Sequence, residues 1–440
     1  AAGWEGRRSS VRLRGWVGTA DLDQFDPARE GLIAGPPRRW TSARRRVSVP
    51  GMAESSISEP ASPGFYEFFA GGGMVRAGLG DGWRCLLAND LDPKKAESYR
   101  ANWGGDALVV GDIAALGAAD LPGTAALMWG SFPCQDLSLA GAGAGLGGAR
   151  SGTFHDFWAL ARALGAEGRG PRIVAVENVC GTLTSRGGRD FETICRTFVE
   201  AGYRCGALVV NADRFLPQSR PRLFVVGVRG DVALAPGLTT TGPDGPFHPP
   251  ALRRATERLP AALARGLIWW RLPEPGPRPD GLAALIESDP SDAPWHTVGQ
   301  TARLLSLMSP TNLAKVEAVR RAGDRRVGGL YRRTRRDADG SRLQRAEVRF
   351  DIAGCLRTPG GGSSRQTVLV VEDGAVRSRL MSARETARLM GLPDSYRLPD
   401  SYSAACHLTG DGVAAPVVRH LAAHLFEPLL SPFETCARAA

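Results

Sequence analysis

Lysine is nearly missing from this chain. Of 55 basic residues only Lys94, Lys95 and Lys315 are lysine, and the other 52 are arginine. With abundant Ala and Gly, this skew reads as coding bias from a GC-rich genome, so arginine number alone is weak support for nucleic-acid binding. Long apolar runs are also missing: none approaches the roughly 18 residues of a membrane helix. The chain does not open on a charged region, an apolar run and a small-residue cleavage site, so a secretory signal is not expected. Cysteine is sparse and scattered at Cys85, Cys134, Cys180, Cys195, Cys205, Cys355, Cys406 and Cys436, with no CxxC pair and no paired histidines. That disfavours a zinc site or a disulfide framework, and a reducing, cytoplasmic setting is expected.

What is present is an ordinary globular composition, 43% hydrophobic and 23% charged over 440 residues. That length suits two to three domains and buries a large core without staples. The net charge of +10 is unevenly placed. Residues 1–51 carry ten Arg against five acids, and residues 315–349 carry twelve basic against five acidic residues. A near-neutral body with two basic segments implies a polyanion partner, against the plainer reading of solvated tails. Residues 1–62 mix Arg clusters with Gly, Pro and Ser without periodicity, and read as a disordered extension. Met52 stands shortly before the first good strand. Residues 1–51 are therefore expected to be an upstream translation of the true reading frame, which N-terminal sequencing of the native protein tests; the working chain would then be about +5, with its positive charge in the second segment.

From residue 64 strand and helix alternate. Strands are expected at Gly64–Phe69, Trp83–Asn89, Leu108–Val110, Ala125–Gly130, Ile173–Val176, Leu208–Asn211 and Leu223–Val228. Helices are expected at Met74–Leu79, Pro93–Trp103, Phe154–Leu164, Phe191–Ala201, Glu385–Met390 and Pro416–Leu425. This alternation predicts an α/β fold with a doubly wound, mostly parallel sheet. Residues 231–300 are rich in Pro and Gly and break the pattern.

Four constellations carry chemistry. Phe69-Ala70-Gly71-Gly72-Gly73 follows the first strand, where glycines let backbone approach a ligand. Asp90, about twenty residues on, could accept from ribose hydroxyls, and Asp112 after the third strand could accept from an adenine amino group. The GxGxxG form is absent, which argues against a dinucleotide and hence a dehydrogenase. Phe132-Pro133-Cys134-Gln135 presents a thiol at the carboxyl edge of the fourth strand, and the Gly-rich run Leu139–Gly148 reads as a lid. Glu177-Asn178-Val179 puts a carboxyl at a buried strand end, suited to a proton donor. Gln218, Arg220 and Arg222 share one face of an extended segment and make a clamp, if that segment is not merely an exposed edge strand.

In this order, together with Asn89-Asp90, Gly111-Asp112-Ile113, Arg384 to Asp394 and Gly410-Asp411-Gly412-Val413, these motifs resemble the DNA (cytosine-5) methyltransferase family. The resemblance runs from about residue 64 to 425, excepting the region near 231–380. It implies a Rossmann-like, S-adenosylmethionine-dependent methyltransferase domain (63–230), a smaller irregular target-recognition domain (231–395) and a C-terminal return (396–440). By resemblance, Phe69, Ala70, Gly71, Gly72, Gly73, Asp90, Asp112, Pro133 and Asp411 surround S-adenosyl-L-methionine. Cys134 is the nucleophile that adds to cytosine C6 and makes C5 electron-rich enough to take the methyl group. Glu177 acts at N3, Arg222 at the O2 face, and Arg220 orients the site. The target base is flipped out of double-stranded DNA. Arg332, Arg333, Arg335 and Arg336 are candidate phosphate or base contacts. The implied partner is double-stranded DNA, with a cognate restriction endonuclease that shares the site without a stable complex, and the enzyme is expected to be a nucleoid-associated monomer. A transfer-RNA-methylating branch has the same chemistry; a non-catalytic DNA-binding relative would not need all four catalytic groups. Two departures stand out: Asp411 replaces the usual Asn, and Glu67 stands where Asp is common.

Overall fold

The computed structural model describes residues 62–133, 146, 152–336, 342–358 and 365–431. Its centre is a seven-stranded sheet: β1 (Gly64–Phe68), β2 (Arg84–Asp90), β3 (Leu108–Val110), β4 (Leu127–Gly130), β5 (Ile173–Val179), β6 (Tyr203–Asn211) and β7 (Pro221–Arg229). The strand order is β3-β2-β1-β4-β5-β7-β6. β1 to β5 run parallel, and β7 lies antiparallel between β5 and β6. β7 is thus an interior strand, which removes the alternative of an exposed edge for the segment that follows Gln218.

Crossover helices cover both faces, as parallel strands require. α1 (Met74–Leu79) and α2 (Pro93–Trp103) follow β1 and β2; α3 (Thr153–Ala166) and α4 (Arg189–Glu200) follow β4 and β5. Asp92 caps α2 by accepting from Lys94 N, and Pro93 starts the helix. Alternation along the strands divides the core in two. Phe65, Leu127, Trp129, Ala175 and Val226 face one layer; Tyr66, Phe68, Met128, Val174 and Val225 face the other, with Phe154, Trp158 and Phe198 from α3 and α4.

Beyond β7 come short elements: β8 (Thr239–Thr240), α5 (Pro250–Glu257), α6 (Ala261–Gly266), β9 (Trp269–Trp270), α7 (Leu282–Leu285), α8 (Val298–Ser306) and α9 (Pro310–Ala322). A second sheet then forms from β10 (Arg326–Arg336), β11 (Arg342–Phe350), β12 (Thr367–Glu372) and β13 (Ala375–Leu380), in the order β11-β10-β12-β13 and wholly antiparallel. Its own small core holds Leu330, Val348, Leu369 and Val371 against Met308 and Val316. The basic segment is therefore a hairpin and the helix before it, not an unstructured stretch.

The large core also takes in residues from beyond β7, among them Trp270, Val327, Leu356, Met381, Met390 and Tyr396. α10 (Ala383–Arg388), α11 (Tyr402–Asp411) and α12 (Ala415–Leu421) complete the fold. α12 packs on α1: a side chain at Gly78 would collide with Val418 and the backbone of Ala415. Among the described residues no helix is long and apolar enough to cross a membrane.

Candidate active site

The order of the sheet reverses between β1 and β4, and in open α/β sheets ligands enter at the carboxyl ends of strands at such a point. A cleft of about 710 Å³ opens there, lined from one end by Phe69 to Gly72, Asp90 and Asp112, and from the other by Pro133, Glu177, Arg220 and Arg222. That volume suits a small-molecule ligand.

Glycine is required at the first turn. Phe69 has φ +59°, Gly71 +55° and Gly73 +78°, so the chain makes three left-handed steps within five residues. For Phe69 this is backbone strain of the kind found at ligand clamps. A side chain at Gly72 would strike the Tyr396 hydroxyl. The turn is held from four directions. Trp103 Nε1 and Tyr396 Oη donate to Gly72 O at 2.9 and 2.7 Å, Asp90 Oδ2 accepts from Gly71 N at 2.7 Å, and Asn89 O accepts from Ala70 N at 3.0 Å. Asp90 Oδ1 accepts from Asp92 N, and burial pushes this carboxyl above its ordinary range. Asp112 Oδ1 caps the next turn by accepting from Ala114 N at 3.0 Å. Asp411 meets Lys95 Nζ at 2.6 Å, joining α11 to α2 at the cleft. This bridge makes use of the acid that replaces the usual Asn.

At the other end, Cys134 and Gln135 lie outside the described residues, as does most of the Gly-rich run. The backbone leading to Cys134 is nevertheless fixed. Asn178 Nδ2 donates to Phe132 O at 3.1 Å, while Asn178 Oδ1 accepts from Val179 N at 2.8 Å. The end of β5 thereby anchors the residue two before the cysteine. Glu177 is buried on the same strand, and Arg222 Nε lies 3.1 Å from its Oε1. The carboxyl expected at a buried strand end is thus an ion-paired one.

The three residues expected to form a clamp divide their labour. Gln218 is fully buried and bridges two backbones, donating to Leu389 O at 2.6 Å and accepting from Leu356 N at 3.1 Å. Arg220 donates to Leu356 O and Gly410 O, each at 2.9 Å, and to Gly412 O at 2.6 Å. Burial, with Arg222 close by, lowers its pKa to about 10, so it stays charged at neutral pH. Arg220 is a positioning residue that ties β7 to the return segment. Arg222 alone of the three pairs with the acid. Sequence reading missed Lys95, Trp103, Tyr396 and Cys355, whose Sγ lies 3.4 Å from Arg220 Nη1. None of the four belongs to a motif, and only the fold brings Lys95 to the cleft wall, Trp103 and Tyr396 to Gly72, and Cys355 to Arg220.

A glycine-turned cleft at the switch point of an open sheet, with an acid–arginine pair across from it, defines an α/β protein with a built ligand site. The C-5 cytosine-specific DNA methylase family model matches residues 64–427, and the chain belongs to that family. Among curated relatives, the Type II methyltransferase M.NlaX of Neisseria lactamica is 26% identical over 361 residues, 81% of this chain and 94% of that protein. M.HhaI of Haemophilus parahaemolyticus, also a Type II methyltransferase, is 26% identical over 360 residues, 81% of this chain and 92% of that one. In fold the chain resembles a DNMT2 variant from Spodoptera frugiperda, with TM-score 0.51 and 17% identity over 83% of this chain and 100% of the other. By family, then, the protein is a DNA cytosine-5 methyltransferase.

Proposed function

We propose that the enzyme methylates C5 of a flipped-out cytosine at a specific site in duplex DNA, through a covalent adduct between Cys134 and C6. The observation that carries this reading is the shared cleft: the glycine turn with Asp90 and the Glu177–Arg222 pair open onto one cavity, and Pro133 at its wall is the residue before Cys134.

The donor end fits S-adenosylmethionine. A ligand can approach the backbone at Gly71 with no side chain between, Asp90 keeps lone pairs for hydroxyls, and Phe69 is held in a strained conformation beside them. Phe69 to Gly73, Asp90, Asp112, Pro133 and Asp411 would hold it. Bound there, it supplies an electrophilic methyl group.

The protein's own groups prepare the base. Cytosine C5 is a weak nucleophile until the ring is activated. The Cys134 thiolate adds to C6, and the electron pair moves toward C5 and N3. Glu177 shares a proton with N3, so the charge pushed into the ring is taken up there, and Arg222 holds Glu177 while presenting its guanidinium to the O2 side. After methylation the C5 proton leaves and Cys134 departs, restoring the aromatic ring. Base flipping costs a few kcal/mol, which contacts to phosphate offset. The β10–β11 hairpin supports this contact: Arg332 and Arg333 lie on it, and Arg333 stacks on Tyr331 at 4.9 Å. The segment beyond the hairpin is sewn to the clamp, with Ala353 N donating to Pro217 O and Ser219 N to Ala353 O. Sequence reading thus reports to the catalytic end through residues 353–356.

Expression in a methylation-free host followed by bisulfite sequencing gives product and site together. Cys134→Ser should leave no methylated cytosine while the purified variant still binds duplex DNA. Full methylation by that variant would reverse the covalent reading. Methylation of transfer RNA and not plasmid DNA would reverse the duplex substrate.

A further inference from the structure

Glu67, on β1, is fully buried and lines the cleft two residues before the glycine turn. Neither carboxyl oxygen meets a donor at good hydrogen-bond geometry among the described residues, and the amides of Val75 and Arg76 at the start of α1 are donors that lie toward it. Buried acids are normally paired, because an unpaired one loses hydration with nothing in return. Here the two orphaned oxygens are at the wall of the cavity that takes the methyl donor.

The groups around it fix its behaviour. Arg76 on α1 is the nearby cation, but its guanidinium donates to the Tyr99 hydroxyl at 3.1 Å and lies over the Trp103 ring. Asp90 and Cys85 on β2, Tyr99 on α2 and Tyr396 after α10 also face Glu67, and none is a cation. The strand neighbours are Ala88 and Trp129. Burial pushes the carboxyl up to about 8, against the lesser pull of the α1 amides and Arg76, so with no further cation beside it the acid is neutral at pH 7.

A methyl donor of the sulfonium type carries one more positive charge than its thioether product, and the two are otherwise nearly the same shape. A cavity can separate them cheaply only by charge. We propose that Glu67 is the residue that tells donor from product, giving its proton to solvent when the cationic donor binds and taking one back once the methyl group has left. The proposal rests on the S-adenosylmethionine reading above. It assigns the orphaned carboxyl a partner that is present for only half of the cycle, and it makes product release easier than donor release.

The test is titration calorimetry of the full chain with S-adenosylmethionine and with S-adenosylhomocysteine, each in phosphate and in Tris at about pH 7. A proton released on binding appears as a heat that depends on the buffer. Donor binding should release close to one proton and product binding close to none. In Glu67→Gln the buffer dependence should vanish, and the preference for donor over product should fall tenfold or more. Equal proton release with both ligands, or release that persists in a ligand-binding Glu67→Gln protein, overturns the proposal. No binding of either ligand overturns the cofactor reading and the proposal with it. Should Glu67→Gln not fold, the wild type decides: the donor-to-product affinity ratio should rise nearly tenfold per unit between about pH 6 and 7, and a flat ratio overturns the proposal.

Discussion

Arg222 Nε sits 3.1 Å from Glu177 Oε1, across the pairing of β7 with β5 that places Arg222 opposite Val179. One guanidinium therefore fixes the orientation of the acid and lends it positive charge. Arg222→Ala should lower kcat/KM by about 10²–10³, the usual loss on removing one electrostatic stabiliser. Arg222→Lys should recover little, since a compact ammonium cannot reproduce a directed Nε contact. In the double variant with Glu177→Gln the losses should be far from additive, because both changes disable one unit. Steady-state kinetics on a defined duplex measures all three; additive losses would show that the pair does not act together.

Arg220 acts by a different route, and its loss should appear in stability first. Arg220→Met leaves the carbonyls of Leu356, Gly410 and Gly412 without their donor, and the contacts to the first two are buried. Each buried acceptor so stranded costs about 1–3 kcal/mol. The urea midpoint should fall accordingly, even with no ligand present. An unchanged midpoint with lost activity would instead make Arg220 a group that touches the substrate.

Much of this was legible in the sequence, for reasons that are local. β3, α1 and α2 have the bounds that spacing and proline placement predict, because Pro93 starts a helix wherever it falls after a cap such as Asp92. The glycine turn and Asp90 were legible because left-handed backbone leaves few residue choices. β6 and β5 proved longer than their apolar runs, since the sheet carries Tyr203 to Gly206 and Glu177 to Val179 along with them. The roles of Gln218 and Arg220 were not legible. Their partners are backbone atoms of Leu356, Leu389 and Gly410, more than 130 residues away, and no spacing rule encodes a carbonyl. The second sheet was hidden for a related reason: β10 and β11 carry arginines on a hairpin whose apolar face is narrow.

Cys355 should be a reactive thiol. Its environment lowers its pKa, with Arg220, Arg222 and Arg357 outweighing burial. Burial pushes Cys85 and Cys180 up to about 11. The thiolate is the form that alkylates. In a Cys134→Ser protein treated with iodoacetamide at about pH 7, mass spectrometry should find Cys355 modified well before Cys85 or Cys180. Equal rates at the three positions would mean that the arginines do not reach the sulfur.

Glu67 also sets a pH dependence of stability, apart from any ligand. Its folded pKa, about 8, lies above the unfolded value near 4.5. The folded protein therefore binds more protons than the unfolded chain between those limits, and stability must fall as pH rises through that window. Below it the acid is protonated in both states and contributes no slope. Above it the slope ends, with the penalty of a buried carboxylate fully present, on the order of a few kcal/mol. Glu67→Gln keeps the shape and cannot ionise. Its melting temperature should match the wild type near the bottom of the window and exceed it increasingly toward pH 8, and a gap that stays constant with pH would mean that Glu67 does not titrate in the folded protein.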